Sequence, residues 1–144
     1  MRLSKEEIKK IIPHREPFLL VDEIIELNDK DITGLKKIEE DDFYLKGHFP
    51  NNPVVPGVLQ VEMIAQVGAV MLLQKEEFEG KTAYFTAIKR AKFKDIIRPN
   101  DELTIKVSLI KLRNNFGSAS GEIYCNEKLV CEAEIYDYLQ THFL

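Results

Sequence analysis

From residue 58 to 73 apolar side chains recur at almost every position: Val58, Leu59, Val61, Met63, Ile64, Val67, Val70, Met71, Leu72 and Leu73. A stretch that is apolar on every side predicts a buried helix rather than a surface one. It is too short and too polar to span a bilayer, which takes about 20 apolar residues; Gln60, Glu62 and Gln66 interrupt its first ten positions. Ala65, Gly68 and Ala69 are small enough for another backbone to approach closely.

After Gly80 the period changes from helical to two. Leu103, Ile105, Val107 and Leu109 alternate with polar residues, as do Leu129, Cys131, Ala133 and Ile135, so each strand has one buried face. Successive strands are expected over 83–94, 102–113, 116–125 and 128–139, with turns at Arg98-Pro99-Asn100-Asp101 and Asn114-Asn115.

Upstream, Ser4 and Glu7 form a capping box for a short helix striped by Ile8, Ile11 and Ile12 and ended by Pro13. The run PFLLVDEIIEL predicts a strand over 17–27, turning at 28–31 into a second strand over 32–38. Residues 39–57 should be irregular, because Pro50, Pro53 and Pro56 each lack an amide donor and bias the preceding residue away from helix. The pattern sums to an α+β fold, five to seven antiparallel strands curled around one long apolar helix.

At 144 residues, 44% hydrophobic and without repeats, the chain is expected to form a single domain over 1–144 with a core large enough to need no disulfide or metal. A net charge of −4 lacks the footprint of a nucleic-acid binder. Charge is uneven, however: Lys81, Lys89, Arg90, Lys92, Lys94 and Arg98 are opposed over that span only by Asp95, and make either a basic patch or a solvated strand face. The N-terminal MRLSKEEIKK lacks the features of a secretory signal, so a cytoplasmic setting is expected. A two-residue turn at Asn126-Glu127 would pair Cys125 with Lys128 and Cys131 with Glu122, leaving two reduced core cysteines.

A carboxylate inside a dry helix is costly unless protonated, paired or useful. Desolvation of Glu62 is expected to favour its neutral acid, and Gln66, one turn on, is placed to orient it. His48 precedes a proline-braced turn that limits its freedom. Pro56-Gly57 opens the helix, where unpaired amides carry partial positive charge and Gly57 has no side chain to obstruct approach. A base, a buried acid and an oxyanion site suit removal of a proton beside a carbonyl followed by loss of a β-hydroxyl as water. His14 and His142 read as structural. Three histidines without HxxxH or Cys/His spacing give no basis for a metal, and neither GxGxxG nor GxxxxGK[ST] is present to hold a nucleotide cofactor.

IPHREPFLLVDEI, GHFPNNPVVPGVLQVEMIAQ and AKFKDIIRPNDEL together resemble the (3R)-hydroxyacyl-[acyl-carrier-protein] dehydratases of FabZ type over nearly the whole chain. The resemblance implies a hot-dog fold, with two chains joining one continuous sheet. It implies that His48 and Glu62 are catalytic and meet from opposite subunits, and that the Gly57 amide holds the thioester carbonyl. Val58 and Gln66 are expected beside Gly57 in substrate binding. Lys89, Arg90, Lys92 and Lys94 are expected to receive an acidic acyl carrier protein. The assembly implied is a homodimer, and a hexamer as a trimer of dimers, with no cofactor, nucleic acid or membrane partner. Glu16, Lys89 and Asn100 stand where the family commonly has an aromatic residue, an aspartate and a glycine. A hot-dog thioesterase directing water with Glu62, or a non-catalytic carrier-protein binding module, are the competing readings.

Overall fold

A computed structural model describes residues 1–141. In chain order its elements are α1 (Lys5–Lys9), β1 (Glu23–Leu27), β2 (Asp31–Lys37), α2 (Gly57–Leu73), β3 (Lys81–Phe93), β4 (Glu102–Arg113), β5 (Phe116–Cys125) and β6 (Lys128–Thr141), with single 3-10 turns at Phe43–Leu45 and Glu76–Phe78. The strands make one antiparallel sheet in the order β1-β2-β4-β5-β6-β3.

Local chemistry fixes the corners. The Ser4–Glu7 capping box starts α1, with both reciprocal bonds present. Asn28 Oδ1 accepts from the Lys30 and Asp31 amides, 3.0 Å each, and closes the β1–β2 hairpin as an Asx turn. Asn126 and Glu127 both have positive φ, the pair of left-handed residues that a tight turn between twisted strands requires. Asn100, where glycine is the family habit, sits at φ +73°; asparagine is among the few residues that tolerate that region.

The sheet curls around α2, which packs against β2 through β6. Met63, Ile64, Val67, Val70 and Met71 are fully buried, each contributing about 1.5–3 kcal/mol by leaving water. The close wrap depends on Gly121, where an added Cβ would collide with the Ile64 side chain.

Three expectations are corrected. The first strand begins at Glu23, not residue 17, because the Phe18 carbonyl and Leu20 amide bond the Gln66 side chain instead of a ladder partner. α1 stops at Lys9, short of Pro13, although Ile8 and Ile12 beyond it are both in the core. Cys131 pairs with Ile123 rather than Glu122. Val130 is the extra residue: the β5–β6 register jumps across it, and its carbonyl accepts from the Lys94 amide at 2.8 Å. Both cysteines are free; Cys131 is buried, which pushes its thiol up to about 11, and Cys125 is half-buried. None of the described helices is long and apolar enough to cross a membrane.

Candidate active site

His48 lies in the irregular segment before α2. Its Nδ1 is 2.8 Å from the Val54 carbonyl, and a carbonyl only accepts, so Nδ1 carries a proton and Nε2 is the nitrogen left for other chemistry. The ring stacks on Phe49, centroids 4.2 Å apart. Phe49 itself is at φ +56°, a strained conformation for a bulky residue that the surroundings must hold. They do so through Val55 N to Ile97 O, 2.8 Å, and Arg98 Nη1 to Asn52 Oδ1, 2.9 Å.

Gly57 opens α2 after Pro56, whose side chain supplies no cap, so the first amides have no partner inside the helix. A Cβ at Gly57 would come within 3.1–3.3 Å of the Phe93 ring. His48, Gly57, Gln60, Phe93 and Lys94 line one cavity of about 520 Å³. Gln60, which sequence reasoning treated only as a polar interruption, is buried there; Nε2 donates to Val55 O at 3.1 Å and Oε1 has no partner among the described residues. Val58, expected beside the substrate, is 77% exposed on the single chain.

Glu62 faces elsewhere. Gln66 Nε2 donates to its Oε2 at 2.9 Å, and His14 Nε2 stands 3.5 Å from the same oxygen. Its side chain is 16% exposed, so the position is less dry than its place in an apolar helix implies. Gln66 is wholly buried, its amide also engaging Leu20 N and Phe18 O. In the single chain it therefore braces Glu62. His14, read as structural, belongs to this cluster, and its Nδ1 is buried without a partner among the described residues. His142 lies outside the described residues.

The carboxyl that burial pushes upward most is one the sequence reading passed over. Asp137 is 4% exposed on the inward face of β6, and desolvation, then the charge of Glu62, raises it from the ordinary 3.8 to about 7. The signal was present: Asp137 continues the inward series Ala133, Ile135 and Leu139, where an apolar residue belongs. Glu62, Asp137 and His14 line a second, small cavity with Ala65, Ala69, Ala83 and Phe85. The single chain thus keeps His48 and Glu62 in separate cavities.

The basic run is partly satisfied within the chain. Arg90 Nη1 bonds both Glu134 oxygens at 2.9 and 3.0 Å, Lys94 pairs with Glu132 at 3.9 Å, and Lys89 Nζ lies 4.8 Å from the centre of the Tyr136 ring. Lys92 is exposed opposite Glu132 in the ladder. Among the described residues no group of three or more His, Cys, Asp or Glu is placed to hold a metal ion.

The family model for the FabA-like domain matches residues 12–134. The chain belongs to the FabA-like family. Among curated proteins, this FabA-like chain is 49% identical over 129 residues to the 3-hydroxyacyl-[acyl-carrier-protein] dehydratase FabZ of Caldicellulosiruptor saccharolyticus, covering 89% of this chain and 92% of the relative. The dehydratase FabZ of Pelotomaculum thermopropionicum is 48% identical over 134 residues, 92% of this chain and 96% of that protein. Among solved structures, the dehydratase heterocomplex ApeI:P from Xenorhabdus doucetiae matches with a TM-score of 0.80 at 20% identity, over 94% of this chain and 91% of that one. A hypothetical thioesterase with coenzyme A from Streptococcus pneumoniae TIGR4 gives 0.63 at 16% identity, over 81% and 84%. At those identities the structural likeness speaks for the hot-dog fold alone.

Proposed function

We propose that this chain dehydrates (3R)-3-hydroxyacyl thioesters on an acyl carrier protein to trans-2-enoyl thioesters in type II fatty acid biosynthesis. The observation that carries the reading is the bond from His48 Nδ1 to the Val54 carbonyl, which leaves Nε2 as a base in the cavity that Gly57 lines. The FabZ names of relatives at 48–49% identity support the same chemistry.

In this scheme Nε2 of His48 takes the C2 proton while the Gly57 amide receives the growing charge on the thioester oxygen; one such donor contributes about 3–4 kcal/mol. The C2 electron pair forms the new double bond and expels the C3 hydroxyl, which leaves as water with a proton from Glu62. No cofactor takes part. Because one chain separates the two side chains, the acid comes from a second copy. The β3 edge, unpaired on one side and exposing Tyr84, Phe85, Ile88 and Phe93, is the surface through which two sheets would join. A trimer of such dimers rests on the family resemblance. For the carrier protein, Lys92 is the docking candidate least committed elsewhere, with Lys89, Arg90 and Lys94 flanking.

Purified protein supplied with a 3-hydroxyacyl carrier thioester should yield the trans-2-enoyl product without releasing free thiol. Thiol release would mark a thioesterase, and binding without either product a non-catalytic module.

A further inference from the structure

The small cavity beside Glu62 contains a second acid that the proposed reaction does not use. It measures about 60 Å³, room for water, which needs roughly 10–15 Å³ and polar partners. Its polar lining is Glu62 from α2, Asp137 from β6 and His14 from the segment after α1; β3 adds only Ala83 and Phe85. On its other side Asp137 borders a cavity of about 310 Å³ lined also by Lys111, Arg113 and Tyr136. Burial and then the Glu62 charge push its carboxyl upward. Two carboxyl groups in one enclosed space cannot both ionise freely, and their titration belongs to the pair.

We infer that Asp137 is a positioning residue for the dehydration proposed above: it shares one proton with Glu62 across this cavity and thereby keeps a proton within reach of Glu62. In each turnover the pair's one proton passes from Asp137 to Glu62, the O–H bond on Asp137 breaking as one forms on Glu62, directly or through cavity water, and Glu62 gives it to the departing hydroxyl; the proton that His48 took from C2 then returns to the pair through solvent. Gln66 and His14 hold the Glu62 oxygen that remains. The inference rests on the dehydratase reading only for its kinetic consequence; the shared proton does not depend on it.

NMR titration of ¹³C-aspartate-labelled wild type and Glu62→Gln tests the pair without any activity. One aspartate should titrate near pH 7 in wild type and at least about one pH unit lower in Glu62→Gln, since the like charge is gone. An unchanged midpoint, or no aspartate above the ordinary carboxylate range, overturns the inference. In the dehydration assay, Asp137→Asn should move the alkaline limb of kcat/KM down by about one pH unit, because the pair has lost the member that stores its proton. A profile superimposable on wild type overturns the positioning role even if the shared proton is observed. Absence of dehydration in wild type would defeat the functional reading and leave the NMR result standing.

Discussion

The two halves of the candidate site are built on opposite principles. His48 sits in irregular backbone, held by a carbonyl, a stacked ring and a strained neighbour, on the wall of a wide cavity. Glu62 sits on a regular helix, braced by a buried amide, in a cavity roughly a ninth as large. An imidazole needs only one ring nitrogen fixed and the other left open, so a loop suffices. A carboxyl that must deliver a proton needs its surroundings controlled, and a packed helix supplies that control. Sequence therefore displays the two halves unequally: prolines announce the loop, whereas two polar neighbours of Glu62, His14 and Asp137, come from distant parts of the chain.

The comparison is broken most severely by removing either of the two proposed reacting groups. His48→Gln and Glu62→Gln should each lower kcat/KM by about 10²- to 10⁴-fold in steady-state assays while thermal melts stay near wild type.

Next is Asp137→Asn, which should make the protein more stable, not less. The folded chain holds the Asp137 proton up to about pH 7 against an ordinary value of 3.8, so the folded state binds more protons than the unfolded one between those values. Stability from this group falls as pH rises through that window, and the penalty is complete above it. It amounts to at most about 4 kcal/mol. Denaturant titrations should show Asp137→Asn above wild type by about 2–3 kcal/mol at pH 8, with the gap closing toward pH 4. Equal stability at both pH values would show that Asp137 is not desolvated in the assembled protein.

Gln66→Leu separates bracing from chemistry. It orphans the Phe18 carbonyl and Leu20 amide and should cost about 2 kcal/mol by urea denaturation, with a smaller loss of activity than Glu62→Gln. The smallest effect is expected at the basic strand. Lys92→Glu should raise KM for a carrier-linked substrate by about threefold in low salt and leave a coenzyme A substrate unaffected. Arg90 is the poorer test, because its charge is already spent on Glu134.

The fold was legible where period decides structure. β4 and β5 have the bounds that alternation predicts, and α2 begins one residue early, at Gly57. What escaped was set by contacts distant in sequence. A glutamine side chain on α2 takes the backbone bonds of Phe18 and Leu20, so an apolar run there is not a strand. A bulge at Val130 shifts the partner of Cys131. His48, Gly57 and Glu62 were recognisable from local chemistry, but the basic run looked freer than it is because its acidic partners lie on β6. Asp137 stood in plain view as a polar residue on an apolar face; only the fold brings it to Glu62's cavity.

The central claim is that a working site takes His48 from one chain and Glu62 from another. Subunit exchange between inactive His48→Gln and Glu62→Gln proteins tests it most directly. Random pairing makes half the dimers mixed, and each mixed dimer has one intact site of two, so activity should return to about a quarter of wild type. If mass spectrometry shows complete exchange and the mixture stays as inactive as its parents, the two side chains do not serve one site across the interface.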